Sequence, residues 1–350
     1  MPGVASSTRL PGMAATARIP RDRSTIDRPT LLRGVVVVAG GVLIGLAFVA
    51  SYVGALHAPK FHGVHLGVVG PAPLVRQLDA GSQFTATSVS SRQAAIKRID
   101  ERKDYGAIVV GRRGIDLLLA PAASRTTALV LEKGLPPVLR AATGTKTPVH
   151  VTDVKPLPKS DPNGLTPFYL ALGLVVASFI AATTFSMFFG LKAPGRRIWW
   201  RILGFGVMAL VLGLGEVGVV NAIGPLRGHY VPLVLVGLLL SATVGTTTAA
   251  LQALFGILGN GVAILVFIVL GNPASGGPYA TPLLPGFWRA IGPYLPAGAG
   301  TDLVRNISYF GGNAIARPLV ILFAWLAVAL ALAALSTRMR RPFGPQLQPT

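Results

Sequence analysis

Glu216 is the one acidic residue inside a long apolar stretch of this sequence, in the segment LGLGEVGVVNAIG. A carboxylate at membrane depth is costly, so it is by default a candidate for a transport path or a gate. The alternative is a structural hydrogen bond between helices. Candidate partners are Asn221, five residues further along, and the hydroxyls of the next apolar stretch: Ser241, Thr243 and Thr246 to Thr248. Both interpretations of Glu216 stay open at the level of sequence.

A second pattern, in the apolar stretch after Glu216, concerns packing rather than chemistry. Small residues recur there at every fourth position: Gly237, Ser241, Gly245, Ala249 and Ala253. Residues four apart share one face of a helix, and small side chains let another helix approach closely. We therefore predict a helix-packing face. The alternative is the general abundance of small residues in membrane helices.

Residues 272–315 are hydrophobic but are interrupted by proline and glycine, beginning with NPASGG. Prolines at 278, 282, 285, 293 and 296 leave no apolar run of the roughly 20 residues that a spanning helix needs. Such backbone is tolerated at membrane depth only where protein or water satisfies it, so we predict a re-entrant or interfacial cap of short helices. The alternative is an ordinary external loop. The candidate cap residues are Pro285, Trp288, Arg289, Asp302 and Arg305, which we interpret as architectural rather than catalytic.

Composition places these residues in a membrane protein. The chain has 51% hydrophobic and 13% charged residues and a mean hydropathy of +0.60, values too apolar for a soluble protein of 350 residues. It has no cysteine, which excludes disulfides and thiolate chemistry within it. The net charge of +20 is spread over loops and a separate domain without a binding motif, so we predict no nucleic-acid partner. We also predict no cofactor and no metal, because no ligand set recurs at a suitable spacing.

Apolar stretches predict an α-helical polytopic membrane protein with six transmembrane helices. The stretches are residues 34–56, 167–190, 202–223, 231–253, 256–270 and 317–335. The first is roughly 23 residues long, against about 7–15 in a signal peptide, so we interpret it as an anchor. A cleaved signal peptide is the alternative. Residues 166–337, which contain the second to sixth spans and the cap, form the predicted permease-like domain.

Clusters of arginine predict the orientation of the chain. They lie in a basic, disordered tail at 1–33, in the loop at 192–201 and in the tail at 338–350. The positive-inside rule places all three clusters in the cytoplasm, and both termini with them, in a multi-pass protein of the plasma membrane. Residues 57–165 and the cap then lie outside.

Residues 57–165, the head domain, regain charged residues and lose the long apolar runs. Strands are predicted at 65–70, 84–89, 105–110, 115–120 and 149–154, and helices at 73–80, 90–103 and 124–143. Strands that alternate with helices indicate an extracytoplasmic α/β domain with a partly parallel sheet, inserted between the first two spans.

Several motifs carry a resemblance to a known family. LGNPASGGPY, LLPGFWRAIGPYLP and DLVRNISYFGG in the cap, with DYGA, VTDVKPL and DPNG in the head domain, resemble the phage infection protein family within the type-2 ABC exporter permeases. The resemblance implies paired short helices on the outer side, between the fifth and sixth spans. It also implies a homodimeric or heterodimeric export subunit in contact with membrane lipid, with a separate P-loop ATPase as partner.

Two functions remain open. The first is an export permease, whose substrate is equally compatible with hydrophobic drugs, lipids or polymers. The second is a non-transport scaffold or receptor of the cell envelope that works through the head domain. The sequence lacks Walker A, Gly-x-Ser-x-Gly and His-Glu-x-x-His motifs, so we predict that it is not an enzyme. It departs from the type-2 pattern at Ile19 to Thr30, which is broken by proline where an amphipathic helix is expected.

Overall fold

The computed structural model describes Gly3 and residues 28–112, 114–143, 148–189, 197–224, 226 and 228–338. The helices are α1 Arg28–Leu56, α2 Ala72–Asp79, α3 Arg92–Asp100, α4 Arg125–Thr143, α5 Thr166–Phe189, α6 Arg197–Ile223, α7 Tyr230–Phe255, α8 Ile257–Ile264, α9 Gly286–Ile291, α10 Pro296–Phe310 and α11 Ala316–Arg338. The strands are β1 Val64–Val69, β2 Phe84–Ser88, β3 Gly106–Gly111, β4 Gly114–Leu119 and β5 Val149–Asp153. Most of the predicted basic tails, and residues 192–196 of the predicted loop, lie outside the described residues.

Five of the described helices are long and apolar enough to cross a bilayer. They are α1 from Gly34 onward, α5, α6, α7 and α11, with apolar lengths between 21 and 27 residues. At about 1.5 Å per residue, these lengths reach across a hydrocarbon core of about 30 Å. The chain is therefore a multi-pass membrane protein.

The fifth predicted span, residues 256–270, is shorter than the others. It consists of the eight residues of α8 and a π-helical segment of six residues, Leu265–Leu270, which together extend for about 21 Å. Gly256 separates α8 from α7 with a φ of 63°, a conformation that favours glycine, so the two helices form a tight hairpin. Six full-length crossings therefore remain a prediction.

The head domain contains a five-stranded mixed sheet in the order β2-β1-β3-β4-β5. β1 is parallel to β2 and β3, β4 is antiparallel to β3, and β5 is parallel to β4. Each strand limit lies within one residue of its predicted position, because runs of β-branched residues between turn residues define strands well.

Alternating side chains of these strands fill two hydrophobic cores. On one face, residues such as Leu66, Ile108 and Leu117 pack against α2 and α4. On the other face, Ala107 and Leu118 pack against α3. This alternation follows the two-residue period of a strand, and it leaves the sheet covered by helices on both faces.

Within the membrane-spanning part, α7 is the central helix. In its most apolar segment of 18 residues, 72% of the residues are buried. It packs against α5, α6 and α11. It approaches α6 closely at Gly237, where an added Cβ would lie 2.9 Å from the Cα of Gly213. Helix backbones meet this closely only where both residues lack a side chain.

The cap, residues 272–315, contains two helices of unequal length. α9 has six residues, while α10 has fifteen and ends at Gly311, whose φ is 61°. Eleven residues of α10 are buried, and the helix packs against α5, α7 and α11. α10 is therefore part of the core of the bundle rather than a surface loop.

We predict that Gly213→Val destabilises the protein. The new Cβ would lie 3.1 Å from two backbone atoms of α7, Val234 O and Leu238 N. Overpacking of this kind costs about 1–3 kcal/mol, so thermal unfolding of the purified protein in detergent should begin several degrees lower. The matched control is Gly215→Val on the same helix, where an added Cβ has no neighbour within 4 Å. Equal losses in the two variants would contradict the close approach.

Candidate functional site

A buried polar network joins the ends of four helices that meet on one side of the bundle. Its members are Thr183 and Ser186 of α5, Arg201 of α6, Gln252 of α7 and Asn260 of α8. Arg201 donates through Nη2 to Ser186 Oγ and, at 3.0 Å, to Gln252 Oε1. Asn260 Oδ1 accepts from Gln252 Nε2 and from Thr183 Oγ1, both at 3.0 Å. Separating any of these helices therefore breaks hydrogen bonds in a low-dielectric interior.

Arg201 corrects one assignment made from the sequence. The arginines from 192 to 201 predicted a cytoplasmic loop, with the next span beginning at Ile202. In the structure α6 begins at Arg197, and Arg201 is only 2% exposed. The reason is that polar side chains of neighbouring helices accept from its guanidinium, which makes burial of the cation tolerable. The detectable signal was the polar pair Gln252 and Asn260 within otherwise apolar sequence.

Glu216 lies half-buried on α6 and faces α5. Its Oε2 would be 2.5 Å from a Cβ added to Gly173, so the absence of a side chain there makes room for the carboxylate. Within the described residues, no hydrogen bond joins Glu216 to the proposed hydroxyls of α7. Asn221 is half-buried near the carboxyl end of α6, and a separation of five residues places it about 140° around the helix from Glu216.

The predicted packing residues of α7 face α5 and α6. Gly245 faces Phe205, Ala249 is fully buried beside Ala182 and Phe205, and Ser241 is 2% exposed. Within the described part of the chain, Ser241 Oγ has no hydrogen-bond partner, and neither has Thr248 Oγ1. Thr243 instead donates to the carbonyl of Leu239, one turn back.

The cap and the head domain share a junction centred on the end of α10. Phe310 is 2% exposed and belongs to the hydrophobic core on the α3 face of the sheet. Tyr309 donates to Asp161 Oδ2 at 2.5 Å. Asp161 also accepts from the backbone N–H groups of Leu165 and Thr166 at the start of α5. One carboxylate thus holds the last turn of α10 to the first turn of a membrane-spanning helix.

Burial raises the pKa of the Tyr309 hydroxyl above its ordinary range, and the hydrogen bond to Asp161 raises it further. The phenol therefore keeps its proton, and remains a donor to the carboxylate, at every pH near neutrality.

Charged residues surround the same junction. Arg102, at the turn between α3 and β3, has a φ of 61°, which is uncommon for a residue other than glycine. Its guanidinium carbon lies 4.8 Å from the centre of the Phe310 ring, and Nη2 lies 3.8 Å from Asp302 Oδ1. Arg305, 4% exposed, also approaches Asp302, at 3.7 Å, and donates to the carbonyl of Gly276 at 3.3 Å. Asp302 therefore lies between a cation of the head domain and a cation of the cap.

The other cap residues predicted from the sequence lie on α9. Pro285 is its N-cap, and Arg289 is half-buried in its last turn. Trp288 donates through Nε1 to Ser51 Oγ of α1 at 3.2 Å, and its ring fills the space left by Gly54. The cap therefore contacts α1 through Trp288.

The comparison with protein families decides what this arrangement belongs to. Residues 34–335 match the family described as "ABC-2 family transporter protein". The chain belongs to the ABC-2 transporter family. The match covers the head domain and four candidate spans in full, and the fifth, Ala316–Thr337, as far as residue 335. Comparisons with curated proteins and with solved structures gave no match.

Family membership identifies the chain as a permease-like membrane component, and ABC-2 permeases typically work with an ATPase partner in a lipid membrane. The finer assignment to the phage infection proteins remains an expectation from the motifs. In this ABC-2 chain the polar network and the cap junction lie at opposite ends of α5, because Ser186 is near its last turn and Asp161 caps its first.

We predict that Tyr309→Phe weakens the junction of this ABC-2 protein. The change removes a donor to a carboxylate, a hydrogen bond that contributes about 1.5–3 kcal/mol, so thermal unfolding should begin at a lower temperature. Tyr169→Phe removes the same hydroxyl from a side chain that is 58% exposed and is the matched control. Identical melting curves for the two variants would show that the bond to Asp161 does not hold the junction.

Proposed function

We propose that this chain is the membrane-spanning subunit of an exporter and that a separate P-loop ATPase drives it. The observation that carries the proposal is the family match over residues 34–335, together with five helices long enough to cross a bilayer. The 350 residues contain no Walker A motif, so we assign ATP hydrolysis to a second polypeptide.

We assign the transport path to the side of the bundle where α5 and α6 meet. Glu216 supports this assignment, because it is the acidic side chain within these helices and it faces the notch at Gly173. A carboxylate in this position has a large desolvation cost, which a role in moving a polar group across the membrane explains. Asn221 supplies a second polar group on α6, nearer its outer end.

We assign the gate to the polar network around Arg201. Its hydrogen bonds connect α5, α6, α7 and α8 at one end of the bundle. Opening a passage between these helices requires the bonds to break, and closing it allows them to form again. A set of buried bonds that is either made or broken as a unit is suited to a two-state element.

The proposed orientation places both termini and the Arg201 end of the bundle in the cytoplasm. The positive-inside rule supports it, since the arginine-rich segments at 1–33, 192–201 and 338–350 then share one side. The head domain and the cap then lie outside the cell. We propose that the exporter is a dimer, either of two copies or of this chain with a related one.

We predict opposite accessibility for cysteines placed in the head domain and at the start of α6. The chain has no native cysteine, so single substitutions need no background removal. In intact cells, a membrane-impermeant maleimide should label Val138→Cys on α4, which is 45% exposed. It should label Arg197→Cys only after the cells are permeabilised.

A third substitution, Leu43→Cys in the apolar part of α1, provides the control for lipid burial and should stay unlabelled in both conditions. Labelling of Arg197→Cys in intact cells, with protection of Val138→Cys, would invert the orientation. The export assignment would then fail with it, because the head domain would face the cytoplasm.

We further predict that a P-loop ATPase co-purifies with the tagged full-length chain from its own membranes in mild detergent. Mass spectrometry should identify it in an amount comparable to that of the permease, and the preparation should hydrolyse ATP. A harsh detergent that separates subunits is the control and should remove both the second polypeptide and the activity.

A preparation without any P-loop ATPase would favour the second candidate, a scaffold or receptor that works through the head domain. One observation supports that alternative. The sheet has helices and a hydrophobic core on each face, which is more structure than a simple connection between two membrane helices requires.

A further inference from the structure

The strand order of the head-domain sheet reverses between β1 and β3. The chain passes from β1 to β2 on one side and then returns through α3 to β3 on the other side of β1. The carboxyl ends of β1 and β3 therefore lie side by side, with connections that leave in opposite directions. The cavity described below lies at the same end of the sheet but beside that point, because its lining comes from β3, the turn between β3 and β4, β4 and β5.

The end of the sheet formed by the carboxyl ends of β1 and β3, which we call the remote edge, is far from the cap. The junction residues Arg102 and Phe310 lie at the opposite edge, near the start of β3. The polar side chains at the remote edge therefore lie at the end of the sheet that is far from this junction.

A row of side chains crosses the sheet at this edge. Val109 of β3 pairs with Asp116 of β4, and Asp116 pairs with His150 of β5. The next row, with Ala107 and Leu118, is buried beneath α3. The side chain of Asp116 is 42% exposed and His150 is exposed. α3 therefore does not cover the outer row. An aspartate and a histidine thus replace the apolar residues that a covered sheet face requires.

A cavity of about 350 Å³ opens over this row. It is lined by Val109, Gly111, Arg112, Gly114, Asp116 and His150. Gly114 has a φ of 153°, and an added Cβ there would lie 2.8 Å from the carbonyl oxygen of Pro148. Gly111 and Gly114 therefore contribute only backbone to the lining, and the volume lies within the range of small-molecule sites.

The charges around the cavity favour an anionic ligand. Asp116 is matched by Arg92 at the start of α3, whose Nε lies 3.9 Å from Oδ2. Arg112 and His150 then remain as donors on the wall. A guanidinium binds phosphate oxygens through two parallel hydrogen bonds, and an imidazole supplies a further donor.

From this geometry we propose that the remote edge of the head domain is a binding site for a phosphate-bearing ligand. Arg112 and His150 bind the phosphate, and Asp116, oriented by Arg92, accepts from hydroxyl groups of the same ligand. The ligand class is a phosphorylated carbohydrate, whether it is a free sugar phosphate or part of a phosphate-containing polymer.

The test is isothermal titration of the full-length protein in detergent with glucose 1-phosphate. We expect saturable binding, and binding at least about tenfold weaker in Arg112→Gln, because a charge-assisted hydrogen bond is lost. His150→Gln should weaken binding as well. The matched control is Arg76→Gln, which removes the same charge from the exposed face of α2, on the other side of the sheet.

Glucose without phosphate is the ligand control and should give no saturable heat. The proposal is overturned if the wild-type protein does not bind glucose 1-phosphate or if glucose binds equally well. Equal affinities of Arg112→Gln and Arg76→Gln would overturn it too. Melting curves of each variant identify loss of folding. A phosphate-containing glycan polymer that competes with the sugar phosphate distinguishes the polymer from a free sugar phosphate as the source.

Discussion

A buried guanidinium must have hydrogen-bond acceptors, and two arginines impose this requirement on the bundle. Arg201 and Arg305 are 2% and 4% exposed, and an unsatisfied cation in either place would cost several kcal/mol. Arg201 donates to the side chains of Ser186 and Gln252, so it connects α5, α6 and α7. Arg305 donates to the carbonyl of Gly276, so it connects α10 to the turn that precedes α9. The arrangement of helices at one end, and the fold of the cap at the other, follow from these needs.

The head domain is packed onto the membrane part through α10. Phe310 completes the head core, Tyr309 binds the carboxylate that caps α5, and Asn313 donates to the carbonyl of Asp100 at the end of α3. Elsewhere in the cap, the carbonyl of Pro278 accepts a hydrogen bond from Thr126 Oγ1 of α4. Because apolar burial and hydrogen bonds act together over this surface, a rigid tilt of the head domain cannot leave α10 in place. α10 in turn packs against α5 and α7, the helices that hold the polar network.

The periodicity of apolar residues was sufficient to predict the positions of the strands and of the long helices, because local patterns of apolar residues specify both. It was not sufficient where tertiary contacts decide. Arg201 was assigned to a loop because a cation usually ends a span, and only the acceptors on other helices permit its burial. Residues 256–270 have the composition of a span, but Gly256 and the π-helical segment limit their length. The hydroxyls proposed as partners of Glu216 lie on α7, whereas its carboxylate faces Gly173 of α5.

α3 extends from the remote edge of the head domain to the junction with the cap. Its first residue, Arg92, is paired with Asp116 at the remote edge, and its last, Asp100, accepts from Asn313 of the cap. Ser91 caps the helix by accepting from Ala94 N–H, and Ala95 and Ile99 fix it against the sheet. A capped helix of nine residues, about 13 Å long, moves as a rigid unit. One element therefore carries, at its two ends, the ion pair with Asp116 and the hydrogen bond to the cap.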